Sequence, residues 1–534
     1  MTPSTLGLQV QEERGPDHAI ARLSTARTAF VGRTLRGPVN RPVLIKSFAE
    51  FQHLFGGLWQ PSRLSYALEH FFDNGGSEAV VVRVVNGARA ATLTLRAGTG
   101  TLTLRASSPG TREFLRASVD YDNIPASDVE RFNLTVQRVR MQGGSHVEDQ
   151  EIFPQLSMVR SHERCVADVL ADSDLVTLAS DLPAERPDRT LDPASGSAAY
   201  VSSNCDGDDG APPSDYDLVG SRVERTGLFA LEECDQFNFL CIPPAARTED
   251  VGLTVLLVAE RYCKERGALL IVDPPYDWHT ADDALRALRD WPLRSESALM
   301  YFPRILAHDK LRGHFESFAP GGAVAGMLAR SDASHPVWGP ARMDEAVLRP
   351  GYRPVCLIAE DRRLRLSLGG VNTLQAVRSV GRIGVKPRTL AAGAAGTQDA
   401  QSLAARRLGL FIVNCIERGT RWVIGAETGP QTAHLVTAQV RSFFEQLHEA
   451  GAFGARRREE SFYVVCDRRS TAGEFHFLVG FAAARPMEFH GYRISHSVSG
   501  SRIQPASLNR STLAEFCPEE LEWVDKLATQ LQPP

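Results

Sequence analysis

The chain has 534 residues, and its 59 Lys and Arg residues against 64 Asp and Glu residues give a net charge of −5. This length predicts about three domains. The near-neutral charge argues against a chain selected mainly to bind nucleic acid by counterion release. The apolar stretch Val251–Ala259 is about half the length that a membrane-spanning helix needs. We therefore expect a soluble, multidomain protein made inside the cell, without a secretory signal.

The N-terminal region predicts an arm followed by an α/β unit. Residues 1–27 are polar and aperiodic, which is typical of an extended segment. A strand is expected from Thr28, and helices are expected at Ser47 and Ser62, because serine favours helix N-termini. Ala79–Val85 is a β-branched run, which is typical of a strand buried on both faces.

The next region predicts an all-β unit. Thr92–Ala97 recurs as Thr101–Ala106 on either side of a glycine turn, and this pattern is typical of a hairpin. Arg131–Arg140 is expected to be another strand. Residues 181–226 are rich in Asp, Pro, Ser and Gly, which predicts loops or an insertion.

Residues 237–305 alternate between strand and helix patterns. The predicted strands are Phe237–Ile242, Ala268–Val272 and Ala298–Phe302, and the predicted helices are Asp250–Arg266 and Ala281–Asp290. Short apolar strands joined by helices predict a parallel sheet.

The C-terminal region returns to a mixture of helices and strands. Two amphipathic helices are predicted at 401–418 and 432–450. Arg421–Ile424 lies between them and is predicted to be a strand, with Trp422 buried. Phe462–Cys466 and Phe475–Phe481 are predicted to be further strands.

One position offers an enzyme-like site. Asp273 follows a predicted parallel strand, with Asp277 and His279 close behind, and ligands of α/β sheets bind at that end of the strands. The alternative is an aspartate that caps a turn before two prolines. Because H-E-x-x-H, G-x-S-x-G and phosphate-loop motifs are absent from the sequence, it predicts no catalytic constellation.

Metal and cofactor signals are equally weak. Asp206–Gly210 has the composition of a calcium loop but lacks the alternate oxygen ligands and the closing glutamate. The nine cysteines are scattered and form no C-x-x-C pair, which favours reduced thiols over disulfides or structural zinc. We expect neither a metal nor a cofactor.

Several segments, in chain order, resemble the contractile tail sheath family of bacteriophages and related injection systems. The departures from the family pattern are Thr111–Glu113, Gly425–Pro430 and a long tail after about residue 500. The segments that carry the resemblance are Ala29–Arg33, Phe71–Gly76 with Val80–Val84, Ser107–Gly110, Phe153–Ser157, Arg225–Leu231, Gly322–Gly326, Arg406–Leu408, Ile416–Val423, Phe462–Asp467 and Arg485–Phe489.

The resemblance implies a mixed α/β fold divided into named parts. An inner domain combines the N- and C-terminal parts of the chain, and two domains are inserted between them. The implied boundaries are 1–27 for an extended N-terminal arm, 28–88 and 355–500 for the inner domain, 89–180 for a β-rich insertion, 181–354 for an α/β outer insertion and 501–534 for a C-terminal extension.

The resemblance also implies a structural function and no enzymatic one. The subunit would polymerise helically around an inner tube and contract to drive that tube through an envelope. Its partners would be further copies linked by the terminal arms, the inner tube, the baseplate and a tail-terminator or cap protein, with no direct nucleic-acid contact or membrane insertion. It would act in a virion tail or injection particle assembled in the bacterial cytoplasm. The competing hypotheses are an α/β enzyme with a site near Asp273 and His279, and a receptor-binding protein.

A grip on an inner tube that must later be released is expected to be polar and weakened by salt. The predicted inner domain offers Arg406 and Arg407 on its first amphipathic helix, and Arg456–Arg458 after its second. Glu459 and Glu460 partly neutralise the second group. Arg406 and Arg407 are therefore the predicted contact with an acidic tube surface.

Overall fold

A computed structural model gives the fold of the chain. It describes residues 19–506 apart from 113, 142–144, 193, 204–205, 340–346, 375–385, 393–401, 427–428, 455–456, 467–473 and 484–488.

The described chain contains both strands and α-helices. The strands are β1 (Thr28–Gly32), β2 (Val43–Ile45), β3 (Ala79–Arg83), β4 (Thr92–Ala97), β5 (Gly100–Ala106), β6 (Leu115–Asp120), β7 (Arg131–Met141), β8 (Ser145–Ser157), β9 (Val176–Leu178), β10 (Val201–Ser202), β11 (Phe239–Cys241), β12 (Leu269–Val272), β13 (Ala298–Phe302), β14 (Ile305–Asp309), β15 (His314–Phe318), β16 (Arg353–Pro354), β17 (Val371–Thr373), β18 (Phe462–Cys466), β19 (Glu474–Phe481), β20 (His490–Ser497) and β21 (Gly500–Ala506). The α-helices are α1 (Phe48–Phe55), α2 (Arg63–Asp73), α3 (Val166–Ala171), α4 (Asp215–Val219), α5 (Leu253–Arg266), α6 (Ala281–Ala287), α7 (Gly321–Ser334), α8 (Glu360–Leu368), α9 (Leu403–Gly419) and α10 (Pro430–Glu449).

A seven-stranded sheet forms the central layer, in the order β17-β13-β12-β11-β1-β3-β2. All pairs are parallel except β3 with β2 at one edge. Helices α5, α6 and α8 cover one face, and α1, α2 and α7 cover the other. Side chains alternate between these two layers, as Val80 and Val81 do in β3. The apolar runs predicted as doubly buried strands have this position because both faces of the sheet are covered.

The pairing of β1 corrects the division of the chain inferred from the sequence. Thr28 in β1 lies opposite Phe239 in β11 on one side and opposite Ala79 in β3 on the other. The α/β stretch assigned to an inserted domain at 181–354 thus shares one sheet with residues 28–88. The reason is physical: β1 is buried over its whole length, and so it needs a hydrogen-bonded neighbour on each side.

The β-rich stretch forms a sandwich of two sheets, β10-β6-β7-β8 and β4-β5-β9, around its own core. The predicted hairpin is confirmed, with Leu93 opposite Leu104. Strand β10 pairs with β6, so the sandwich extends past residue 180.

The C-terminal body packs α9 and α10 against the antiparallel sheet β18-β19-β20-β21. The strand predicted at Arg421–Ile424 is wrong, since Arg421–Val423 is a short 3₁₀ helix. The Val423 N–H donates to the Thr420 carbonyl at 3.2 Å, so the chain stays helical beyond the end of α9, and Arg421, one turn after Glu417, pairs with it at 2.7 Å.

The last residues of the arm predicted at 1–27 pack against the rest of the chain. Ile20 is 9% exposed and packs in the C-terminal core, and Leu23 packs against the same core. The Thr25 hydroxyl donates to Asp332 at 2.6 Å. Residues 1–18 lie outside the described part of the chain, and the residues from Ile20 onward belong to the folded body.

Trp422→Ala is expected to lower the free energy of unfolding by about 1–2 kcal/mol. Trp422 is half-buried, not fully buried as the sequence predicted, and its Nε1 donates to Gln439 at 3.0 Å. Trp278 is the matched control, because it is 4% exposed and its ring lies 5.4 Å from that of Trp291. Trp278→Ala is expected to cost about 3–5 kcal/mol. Urea unfolding of both variants measures the two losses. Equal losses would contradict the conclusion that Trp422 is less buried than Trp278.

Candidate assembly surface

The first predicted contact residue, Arg406, is buried inside the fold. It is 9% exposed, and its Nη1 lies 3.2 Å from the Glu296 carboxylate. Nη2 donates to the Ser297 hydroxyl at 3.0 Å. Arg406 thus ties α9 to the segment that enters β13.

Arg407 has a similar internal position. Its side chain is 10% exposed and pairs with Asp332 of α7, whose side chain is 8% exposed. The guanidinium carbon also lies 5.2 Å from the ring centroid of Phe239. A tube contact by Arg406 and Arg407 stays a prediction, and the structure shows that both already have carboxylate partners inside the chain.

The second basic group is only partly described. Arg456 lies outside the described residues, and Arg458 lies 3.4 Å from Glu445 and 3.6 Å from Glu449 of α10. Arg458 therefore already pairs with two carboxylates of α10.

Asp273 and His279 have different environments. The Asp273 carboxylate accepts a hydrogen bond from the Gly321 N–H at 2.7 Å, at the start of α7, and burial raises the pKa of Asp273 to about 6. Asp273 lines a cavity of about 20 Å³, which has room for about one water molecule. His279 is exposed and lies outside the lining of that cavity, where its ring centroid is 6.0 Å from that of Tyr276. Asp273 thus caps the first turn of α7, which begins 48 residues further along the chain, whereas the alternative drawn from the sequence was a cap on the turn before Pro274 and Pro275.

The acidic loop Asp206–Gly210 fastens the sandwich. Asp206 accepts hydrogen bonds from the N–H and hydroxyl of Thr92, and Asp209 accepts the same pair from Thr111, all at 2.7–2.9 Å. The backbone N–H of Thr92 and its hydroxyl lower the pKa of Asp206. Across the described part of the chain, no group of three or more His, Cys, Asp or Glu side chains is placed to hold a metal ion.

A set of arginines that the sequence analysis missed joins the sandwich to the α/β body. Arg83 at the end of β3 is 1% exposed and donates to the Gly37 carbonyl at 2.7 Å and the Pro109 carbonyl at 2.6 Å. Arg36 pairs with Glu148 of β8 at 2.6 Å. An arginine inside a buried run, as in Val80–Arg83, was the available signal, because such a side chain needs buried acceptors.

The edge of the C-terminal sheet is held in place by a hydrogen-bond chain. The Thr420 hydroxyl donates to the Ile416 carbonyl, so it accepts from Nε2–H of His496 at 2.8 Å. Nδ1 of His496 then accepts from the Ser501 hydroxyl at 2.7 Å. The outer edge of β21 has no strand beside it within the described chain, and it is therefore a site where another strand can pair.

The same histidine predicts acid sensitivity. Burial lowers the pKa of His496 from 6.5 to about 4. Between these values the unfolded chain binds a proton that the folded chain does not, so the free energy of unfolding falls as pH falls from 6.5 to about 4. His496→Gln is expected to reduce this slope by up to about 1.4 kcal/mol per pH unit. His70, also buried and with a pKa lowered to about 3, leaves a residual slope.

Urea unfolding at several pH values measures that slope. His53→Gln is the matched control, since the side chain of His53 is 63% exposed. An unchanged slope in His496→Gln would show that this histidine titrates alike in the folded and unfolded chain.

Beside β21 lies a cleft of about 860 Å³ between the α/β body and the C-terminal body. Leu23, near the start of the described chain, and Ser501–Gln504, near its end, both line it. Six arginines and four carboxylates also line the cleft: Arg222, Arg261, Arg266, Arg418, Arg421 and Arg502, with Glu232, Asp235, Glu265 and Glu417. The cleft is positively charged and lies where both ends of the described chain meet, so we refer to it as the arginine cleft.

The described chain is a mixed α/β protein in which Arg83 and Arg36 join a sandwich to the central sheet, and an unpaired edge of the described C-terminal sheet lies beside a charged cleft. No helix within the described residues is long and apolar enough to cross a membrane.

The fold is that of contractile tail sheath proteins. The chain is similar to the sheath tail protein Lin1278 from Listeria innocua at 13% identity, over 90% of this chain and 96% of that chain, with a TM-score of 0.57. It is also similar to the PVC sheath complex of an extracellular contractile injection system in its contracted state, at 15% identity, over 92% and 96% of the two chains, with a TM-score of 0.50. No protein-family model matches the sequence, and no curated protein matches it. The α/β fold predicted from the sheath resemblance is confirmed.

Proposed function

We propose that this protein is the sheath subunit of a contractile tail-like particle. Many copies would polymerise helically around an inner tube, contract, and drive the tube through a target envelope. The observation that carries the proposal is a sheath fold that extends over about nine-tenths of the chain. Further partners would be the baseplate and a tail-terminator or cap protein, in a virion tail or injection particle assembled in the bacterial cytoplasm.

The surface of the subunit supports assembly by strand addition. Within the described chain β21 is the edge strand of the C-terminal sheet, and the N–H and C=O groups on its outer side can pair with an arm from a neighbouring copy. A contact of one copy's arm with a different surface of the next is heterologous, and repeated contacts of this kind build an open helix. Such a subunit can stay linked to its neighbours while it rotates.

Contraction would release free energy that is stored during assembly. A gain of about 1–3 kcal/mol per subunit, the size of an ordinary coupling energy, adds up over many copies without any nucleotide. In the contracting polymer, the sandwich and the central sheet would move together, because buried Arg83 and Arg36 join them.

The predicted tube contact has a defined requirement. Arg406 and Arg407 would each have to exchange an internal carboxylate, Glu296 or Asp332, for one on the tube. This exchange would fit a grip that is sensitive to salt.

Electron microscopy of the purified chain, alone and with a tube protein encoded beside it, tests the proposal. Helical tubes of regular width are the expected result. Monomers under all conditions, including incubation with preformed tubes, would overturn it.

Deleting residues 2–18 is expected to leave a folded subunit that forms few or no tubes. The described core begins at Ile20, so the deletion removes no described packing. A deletion through residue 24 is the contrast, and it should unfold the C-terminal body because Ile20 and Leu23 are lost. Thermal unfolding and electron microscopy report the two effects separately, and normal tubes from the shorter deletion would contradict a linking role for the arm.

A further inference from the structure

The arginine cleft has more positive charge than its own carboxylates neutralise. Arg418 pairs with Asp235 at 3.3 Å, and Arg222 pairs with Glu232 at 2.8 Å and Glu265 at 2.6 Å. Two arginines account for the excess, Arg266 and Arg502.

Arg266 and Arg502 lie in different settings. Arg266 donates to the Leu231 carbonyl at 3.1 Å and the Cys234 carbonyl, so its bonds there are to neutral groups. Arg502 on β21 is exposed, and within the described chain it has no ion pair. The cleft can therefore accept added carboxylates.

A segment with the opposite charge begins beside the cleft. The sequence continues for 28 residues past Ala506, and residues 507–534 contain five acidic and two basic residues. Leu521, Val524 and Ala528 recur at helical spacing among these acids. The segment is thus both acidic and apolar. The cleft offers complementary groups, since apolar side chains such as Leu23 and Ile503 line it beside the arginines.

The connection favours a segment of the same chain. β21 supplies Ser501–Gln504 to the cleft wall, so the segment starts within a few residues of its binding surface. A short tether of this kind gives an effective concentration of about millimolar, above the concentration of free subunits in ordinary solution. The exposed ion pairs of the cleft are no obstacle, because each is worth only about 0–1 kcal/mol and exchanges readily.

We propose that residues 507–534 dock in the arginine cleft of their own subunit. The docking does not depend on the proposed function.

Hydrogen exchange of the full-length chain tests the docking. The variant in which Glu515, Glu519, Glu520 and Glu522 become Gln and Asp525 becomes Asn keeps the length but loses the acidic charge. Amides in 414–421 and 501–506 are expected to exchange about tenfold faster in this variant than in the native chain. Raising the salt from about 0.05 M to about 0.5 M should have the same effect on the native chain. Equal exchange in both chains would overturn the proposal.

Variants on the cleft side provide the reciprocal test. The pair Arg418→Glu and Arg502→Glu alters exposed side chains and should release the segment. The matched control is the pair Arg96→Glu and Arg160→Glu on the sandwich, where the side chains are 82% and 79% exposed. Faster exchange in the control pair as well would attribute the effect to net charge and overturn the proposal.

Protein concentration distinguishes the source of the segment. Protection that does not change over a hundredfold dilution supports docking within one chain, and protection lost on dilution would show a segment from another copy and overturn it. Tube assembly is scored separately. If the segment docks but no tubes form, only the proposed function is contradicted. If tubes form but the segment does not dock, only the docking proposal is contradicted.

Discussion

Arg83→Met is expected to lower the free energy of unfolding by about 3–5 kcal/mol and to loosen the sandwich from the central sheet. The Arg83 side chain crosses between the two bodies, where it donates to the Gly37 carbonyl, the Ser108 hydroxyl and the Pro109 carbonyl at 2.6–2.9 Å. Methionine fills much of the same volume but leaves these buried acceptors without their donor. Each unsatisfied buried group costs about 1–3 kcal/mol.

Urea unfolding measures the loss, and hydrogen exchange at 35–37 and 107–110 locates it. Arg96→Met is the control, because Arg96 is 82% exposed and its ion pair with Asp188 spans 3.6 Å. The control is expected to change stability by less than about 0.5 kcal/mol. Equal effects of the two substitutions, or exchange that stays slow at 107–110, would show that Arg83 does not hold the joint.

The sequence predicted the elements better than their partners. Apolar runs such as Ala298–Phe302 appear as strands at the predicted positions, because a run buried on both faces is a local pattern. The pairing of β1 with β11 joins residues about two hundred positions apart, and no local pattern encodes it. For this reason the sheath resemblance led to the correct fold while the boundaries drawn between its parts separated strands of a single sheet.

The predicted site shows the same limit. Charge and position on an amphipathic helix predicted that Arg406 and Arg407 could contact a partner protein. Their internal partners, Glu296 and Asp332, lie far from them in the sequence, so no local pattern shows these ion pairs. The arginine cleft was not predicted because its residues come from six separate stretches of the chain, from Leu23 to Gln504. Trp422 was assigned to a strand because tryptophan and β-branched neighbours favour strands, whereas the bond from the Val423 N–H to the Thr420 carbonyl makes this segment a 3₁₀ helix.

Arg407→Leu is expected to cost about 3–5 kcal/mol, because it leaves the buried Asp332 carboxylate without a cation. Asp332→Leu should cost a similar amount, since it leaves the guanidinium unpaired and removes the acceptor of the Thr25 hydroxyl. Both single variants should therefore weaken the attachment of the N-terminal segment to α7 and α9. Reversing both Arg406 and Arg407 to Glu would place new carboxylates beside Glu296 and Asp332, so that variant should unfold the chain.

The double variant Arg407→Leu with Asp332→Leu separates pairing from packing. If the two charges stabilise each other against a cost of desolvation, removing both should restore most of the stability that either single variant loses. Urea unfolding of the four chains gives the coupling energy, which we expect to be at least about 2 kcal/mol. Arg160 and Asp181, exposed and 3.9 Å apart, form a control pair that should show no coupling. Additive losses at Arg407 and Asp332 would mean that neither charge depends on the other, and Arg407 would then be available to an acidic partner such as a tube.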